Sequence, residues 1–338
     1  MIDYKTAGVD IDKADALLEE VKKFASASYQ PGVLEGVGGF GALFEIKKYK
    51  NPVLVSATDG VGTKILLAHQ MKKYFSLGYD LVAMNVDDVV CCGAKPLFFL
   101  DYIGIGKLEK SIYLAIVESI AKACKFAECS LIGGETAELP GMYPDEEFDL
   151  AGFCVGVVEK NSILKPENTK EGDVVIGLAS SGFHSNGFSL IRSVIKEKNL
   201  DLNKNYGFGI LGNLLLTPTE IYAPVIVKAI NQFKKAIKGV AHITGGGIEG
   251  NLCRILPDKL SAVIDKKSWK VPEIIQFIIK EGEIEEKEAF RVFNMGIGMT
   301  VIVDQRYKDR VLNFFNENSY KAYFIGSIEK GDGKVLYK

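Results

Sequence analysis

Apolar residues along the chain follow two rhythms, and the changes from one to the other mark an alternation of helices and strands. Ile11, Ala14, Leu17, Leu18, Val21 and Phe24 keep the 3.6-residue period, with Asp10 placed to cap the helix start. The short β-branched run Val53-Leu54-Val55-Ser56 predicts a strand ending at Asp59, with a helix from Ile65 to about Tyr74 behind it. A second helical stretch, about Leu77 to Cys92, places apolar residues on every side of Asn85-Val86-Asp87-Asp88. Leu97 to Tyr102 reads as a strand, Ser111 to about Ala127 as a long helix, and Phe148 to Val158 as a strand. The polar stretch Lys160 to Asp173, with Pro166 and Gly172, reads as a linker. Beyond it Val174 to Ala179 opens a second half, with helices near 186–198 and 219–235.

At 338 residues the chain is long for a single core. The expectation is an α/β protein of two domains, residues 1–165 and 166–338. Apolar content of 47 % and charged content of 25 % are those of a globular protein. A net charge of −2 argues against electrostatic gripping of nucleic acid, since clusters such as Lys47-Lys48 are short. No run approaches the roughly 18 apolar residues that a membrane span needs. The N-terminal residues lack a signal pattern, so a cytoplasmic location is expected. The six cysteines show no paired CxxC spacing and read as reduced thiols.

Chemistry concentrates at the ends of the predicted strands. Thr58-Asp59-Gly60-Val61-Gly62-Thr63-Lys64 delivers a carboxylate, two glycines, a hydroxyl and an ammonium to a helix start. A hard cation prefers carboxylate oxygen, and glycine backbone at a helix start suits a polyanion. Asp87 and Asp88 point about 100° apart on a helix, so only Asp88 shares the Asn85 face. Glu135 and Thr136, after Gly133-Gly134, repeat the strand-terminal acid, as does Asp101. Ligands gather at such ends in open α/β sheets. Gly36 to Gly41 matches GxGxxG in letters, but a strand follows it rather than a helix, so it reads as a flap and not a dinucleotide turn. Ser180, Ser181, Gly182, His184, Ser185, Asn186 and Gly187 lie between a strand and a helix start, where hydroxyls and free N–H groups suit a phosphate ester. Gly245, Gly246, Gly247 and Asn251 form a similar loop after His242. His184 and His242 are candidates for proton transfer or substrate contact, whereas His69 sits in an amphipathic helix and reads as structural.

These motifs, with Gly93 to Tyr102, the run GGETAELPGMY from Gly133, Ala151 to Gly156 and the run SSGFHSNGFSL from Ser180, resemble the phosphoribosylformylglycinamidine cyclo-ligase (aminoimidazole ribonucleotide synthetase) family. The likeness runs in order from about Asp3 to the C-terminus. It implies a homodimer whose N-terminal sheets join into a barrel, ATP and Mg²⁺ as cofactors, and formylglycinamidine ribonucleotide as substrate. A need for a monovalent cation stays open. By motif it implies Asp59, Asp88 and Glu135 on Mg²⁺ and Lys64 on the nucleotide phosphates. Gly38, Gly39, Phe40 and Gly41 would cover those phosphates, with Gly60, Gly62, Thr63 and Thr136 also at the nucleotide. The Ser180–Gly187 loop would hold substrate, its 5′-phosphate being one candidate group. Asp87 stands where relatives often have Asn, and Ser26, Ala27 and Ser28 supply no basic residue before the flap. Related kinases and synthetases are the alternative. A selenophosphate synthetase should carry a reactive cysteine near the Gly-rich segment, yet the first cysteine here is Cys91.

Overall fold

The computed structural model describes residues 11–338. The proposed Asp10 cap therefore lies outside the described residues. The first half contains α1 (Ile11–Ser26), β1 (Val33–Glu35), β2 (Leu43–Phe44), β3 (Pro52–Gly60) and α2 (Lys64–Met71). It continues through α3 (Phe75–Cys91), β4 (Lys95–Ile105), α4 (Lys110–Phe126), β5 (Ser130–Glu138) and β6 (Phe148–Glu159). Four of its strands form one mixed sheet in the order β3-β6-β4-β5, with only β4 and β5 parallel.

The second half begins with β7 (Val174–Ala179), α5 (Phe188–Glu197), α6 (Leu211–Leu215), α7 (Ala223–Phe233) and β8 (Ile237–His242). Then come α8 (Gly247–Leu252), β9 (Leu260–Ile264), α9 (Glu273–Glu281), α10 (Glu286–Val292) and β10 (Ile297–Val303). It closes with α11 (Lys308–Glu317), β11 (Ala322–Lys330) and β12 (Val335–Tyr337). Its six-stranded sheet runs β12-β9-β11-β7-β10-β8. The predicted linker is two short 3₁₀ turns, Lys160–Ser162 and Pro166–Asn168.

The helix expected to reach Tyr74 stops at Met71, because Lys72 takes a left-handed conformation (φ 53°) and its N–H returns to Ala68 and His69 carbonyls. Helix α3 is the spine of the molecule. Leu77, Leu81, Val82, Ala83, Met84, Val86, Val89 and Val90 are all buried, which a helix surrounded by protein requires. It packs on β3, β4 and β6, on α4, and on α7 and β8 of the second half. At Gly78 a Cβ would come within 2.4 Å of the Ile120 backbone nitrogen, so only glycine lets α3 and α4 approach this closely. Helix α4 starts cleanly because the Glu109 carboxylate accepts from the Ser111 and Ile112 N–H groups.

The four-stranded sheet has two unlike faces. Val53, Val55, Cys154, Phe99 and Ile103 turn toward the helices and join the core. The alternate positions carry Leu54, Phe98, Leu100, Tyr102 and Phe153, and of these Leu54 is 58 % exposed. Cys124, Cys129 and Cys154 are buried free thiols, while Cys92 is exposed. Among the described residues no helix is long and apolar enough to cross a membrane.

Candidate functional site

Strand β3 and helix α3 bring two of the expected acids together. Asp59 ends the strand, and its Oδ1 accepts the Gly60 N–H at 2.8 Å. On α3, Asn85 lies beneath it and donates its side-chain N–H to the Asp59 carbonyl at 3.3 Å and to Leu81 at 2.8 Å. Asp88, three residues on, shares that side of the helix, half-exposed, and its Oδ1 accepts from His242 Nδ1 at 3.0 Å. Burial raises the Asp59 carboxyl above its ordinary range; the Gly60 N–H opposes this and the Asp88 charge adds to it. Burial pulls the His242 imidazole down, but the hydrogen bond to Asp88 and the charges of Asp87, Asp88 and Asp59 outweigh it, leaving a net upward shift.

Two unsatisfied atoms border this pair. Asn85 Oδ1 and His242 Nε2 are buried with no hydrogen-bond partner among the described residues. Two carboxylates, one of them with its charge disfavoured by the other, beside an orphaned amide oxygen, make an oxygen-rich donor set of the kind a hard divalent cation takes. The residues present therefore fit Mg²⁺.

Glu135 stands elsewhere. Gly134 faces Asp101 on the helix side of the sheet, where a Cβ would meet Asp101 Oδ1 at 2.3 Å. Its neighbour Glu135 therefore points to the other face, whereas Thr136 turns back and donates to Tyr113 at 3.3 Å. Among the described residues no three acidic, histidine or cysteine side chains converge as a metal site would. The expected convergence of Asp59, Asp88 and Glu135 thus reduces to the first two. A two-residue side-chain period is the reason: strand-end acids on β3 and β5 have opposite parity.

Asp101, on the helix side, is pushed up to about 7 by burial, with its own backbone N–H opposing. The folded state keeps this group protonated where the unfolded chain ionises. Its contribution is therefore fully present below pH ~4 and lost as pH rises through about 7. We expect Asp101→Asn to flatten part of the stability change between pH 5 and 8, and to gain on the order of 2 kcal/mol over the parent at pH 8. Urea unfolding at both pH values checks this; parallel curves for the two proteins contradict it.

Lys64 corrects another expectation. Its ammonium is fully buried and donates to Asp80 Oδ1 at 2.8 Å, to the His184 carbonyl at 3.0 Å and to the Thr217 carbonyl at 2.8 Å. An ammonium has three protons. All are committed, so this side chain joins the two halves and presents no free charge to a phosphate. Asp80 also accepts from the Thr219 N–H and hydroxyl, both at 2.7 Å. Asp87, two helical turns further, accepts from the Tyr222 and Ala223 N–H groups at the start of α7, at 2.9 and 2.7 Å. Burial pushes the Asp87 carboxyl up to about 7, opposed by His242 and these two N–H groups. That answers the open question about Asp87: it caps a helix of the second half.

The second-half loops meet the first half here. Thr63 Oγ1 lies 3.2 Å from Ser189 Oγ, which sets the Gly60–Thr63 turn against the first turn of α5. Gly62 takes φ +67°, with nothing within 4 Å of a would-be Cβ. Within the 180–187 loop Ser180 donates to the Gly182 carbonyl, Ser181 to the Pro218 carbonyl at 2.6 Å, and Ser185 shares a 3.0 Å bond with Thr219. Asn186 Oδ1 accepts the Gly245 N–H at 3.1 Å, so this loop and the Thr244–Gly247 loop are joined. Asn251 ties that loop down through the Gly245 and Gly247 carbonyls. Gly246 and Gly247 both take positive φ.

His184 is not available for proton transfer. It is buried in the left-handed region (φ 61°), and its Nε2 accepts the Ser181 N–H at 3.2 Å. Burial, then the nearby His242 and Lys64, holds its pKa well below the ordinary value. At Gly298 a Cβ would fall 2.4 Å from the His184 ring, so glycine is required to seat it. The Gly38–Gly41 segment joins β1 to β2, with Phe40 fully exposed. Sequence reasoning missed Asp80, Thr219 and Asn294, which donates to the Gly182 carbonyl at 2.8 Å and accepts from Gly296. An acid inside an apolar helix was the available signal for Asp80.

Two domain descriptions match this architecture: the AIR synthase related protein N-terminal domain over residues 41–158 and the C-terminal domain over residues 170–338. They define a two-domain α/β protein of the AIR synthase related class, each domain built on a mixed sheet. A phosphoribosylformylglycinamidine cyclo-ligase of Thermoanaerobacter pseudethanolicus is 53 % identical, covering 99 % of this chain and all of the relative. That of Clostridium tetani is 49 % identical over the whole of both chains. The chain belongs to the phosphoribosylformylglycinamidine cyclo-ligase family. Among solved structures, a thiamine-monophosphate kinase of Stenotrophomonas maltophilia superposes with a TM-score of 0.71 at 16 % identity, covering 96 % of each chain. The hydrogenase maturation protein HypE in complex with ATP superposes at 0.68 with 16 % identity, covering 98 % of this chain and 92 % of its own. At that identity the two share the fold.

Proposed function

We infer that the protein uses ATP to close the imidazole ring of formylglycinamidine ribonucleotide, giving 5-aminoimidazole ribonucleotide, ADP and phosphate. The end-to-end identity to cyclo-ligases carries this reading. The formyl oxygen is a poor leaving group until phosphorylated; the amidine nitrogen then attacks that carbon and phosphate departs. Such transfer needs positioning and charge compensation more than a covalent nucleophile. Asp59 and Asp88 would hold Mg²⁺, which neutralises phosphate charge, with Asn85 Oδ1 beside them. Gly60, Gly62 and Thr63 would meet the nucleotide phosphates at the start of α2. The 180–187 and 244–251 loops would hold the ribonucleotide, and His242, fixed by Asp88, is the candidate for proton movement. Glu135 lies on the outward sheet face, so its part depends on what closes over that face; the Gly38–Gly41 flap, between β1 and β2, would cover the nucleotide phosphates.

A second copy of the chain is the reading that face supports. Leu54 on β3, Phe153 on β6 and Tyr102 on β4 are exposed apolar side chains on that face, the kind that mark an interface, and a twofold dimer would bury them against their copies. Leu54→Glu combined with Phe153→Glu is expected to convert a dimer to monomers by light scattering; an unchanged mass removes the sheet face from the interface.

The activity is tested by ADP release with formylglycinamidine ribonucleotide present and absent, together with detection of the aminoimidazole product. ADP that appears only with substrate supports the ligase. Phosphoryl transfer to thiamine monophosphate instead would favour the kinase reading.

A further inference from the structure

The buried Lys64–Asp80 pair lies between the two loops to which nucleotide and ribonucleotide were assigned. Lys64 directly follows the Gly60–Thr63 turn. Its ammonium holds the carbonyl of His184, a residue in the left-handed region where a side chain is disfavoured. Asp80, on the rigid α3, completes the pair with both side chains 0 % exposed.

The direction of the hydrogen bonds around Asp80 is fixed by valence. A carboxylate accepts only, so the Thr219 hydroxyl donates its single proton to Asp80. The 3.0 Å bond between Thr219 and Ser185 must then run from the Ser185 hydroxyl to Thr219. The order is Ser185 to Thr219 to Asp80, and Lys64 grips the same carboxylate oxygen from the other side. Next to Thr219, the Pro218 carbonyl accepts the Ser181 hydroxyl. Thus two serines of the 180–187 loop and one of its carbonyls are tied, through Thr217–Thr219 and Lys64, to one aspartate of the other domain.

We propose that Asp80 and Thr219 are positioning residues that set the shape of the 180–187 loop and thereby the affinity for the ribonucleotide substrate, without contacting ATP. This rests on the reading that the loop holds that substrate. Thr219 is the informative position. Its N–H continues to serve Asp80 when the hydroxyl is gone, so Thr219→Val cuts the Ser185 branch and leaves the buried ion pair satisfied.

The test is steady-state kinetics of the full-length enzyme with calorimetry of a nonhydrolysable ATP analogue. In Thr219→Val the KM for formylglycinamidine ribonucleotide rises about tenfold, the size of one lost neutral hydrogen bond at a loop anchor. The kcat stays within threefold and the analogue's Kd within twofold. Thr219→Ser, which restores the hydroxyl, returns KM toward the parent value. Ser185→Ala gives a shift like that of Thr219→Val, and the double variant is no worse than either alone, since both cut one chain. Equal weakening of substrate and nucleotide, an unchanged KM, or additive effects overturn the proposal. A parent enzyme without substrate-dependent ADP release would instead overturn the cyclo-ligase reading, and the calorimetry would still report whether nucleotide binds.

Discussion

Replacing Asp88 by asparagine is expected to lower turnover at least about a hundredfold while the protein stays folded, and Asp59→Asn is expected to do the same. The scale is that of losing one preorganised electrostatic contact to a transferring phosphoryl group. Both changes keep side-chain shape, and Asp59→Asn also removes a charge that burial and the neighbouring Asp88 disfavour. Asp88→Asn also takes the charge from His242 Nδ1 and so removes the hydrogen bond that does most to hold the imidazole above its ordinary pKa. The two variants should therefore differ in pH profile: Asp88→Asn shifts the limb that reports His242, and Asp59→Asn shifts it less. Near-normal turnover in both would take the acid pair out of the active site. Glu135→Gln is the control for the geometry, because Glu135 stands on the far face of the sheet from Asp59.

Lys64→Met is expected to cost about 3–5 kcal/mol of stability, the penalty for leaving a buried charge without its partner. Asp80 would keep only the Thr219 N–H and hydroxyl, with Oδ2 already lacking a partner among the described residues. The His184 and Thr217 carbonyls would lose their donor at the same time. Removing both charges in Lys64→Met/Asp80→Leu should recover part of this loss, since the unpaired carboxylate goes too, but the three orphaned backbone groups keep recovery incomplete. Denaturant unfolding measures both variants. A Lys64→Met cost below about 1 kcal/mol would mean that the pair is solvated and does not brace the domains.

Most elements were legible because their signals are local. The 3.6-residue pattern of α1, the long helical stretch of α4 and the β-branched run of β3 each read correctly from a short window. Asp87 and Asp88 were separable for the same reason: one helical step of 100° sends Asp88 to Asn85 and His242, and Asp87 to the start of α7. What escaped depends on partners far along the chain. Lys64 looks like a phosphate-binding lysine until Asp80, His184 and Thr217 are seen around it. Glu135 looks like a companion of Asp59, because strand-end position is visible in a sequence but the facing of a strand relative to its sheet is not. The serines of the 180–187 loop promised free hydroxyls. All three are spent on internal acceptors, and the acceptors for Ser181 and Ser185 lie over thirty residues away.

The acid pair is tested most directly by diffraction at the manganese absorption edge from crystals grown with Mn²⁺ and a nonhydrolysable ATP analogue. The expected result is an anomalous peak coordinated by carboxylate oxygens of both Asp59 and Asp88 and by the analogue's phosphates. A peak bound through Glu135 with neither aspartate in contact, or a triphosphate seated away from the end of β3, would contradict it.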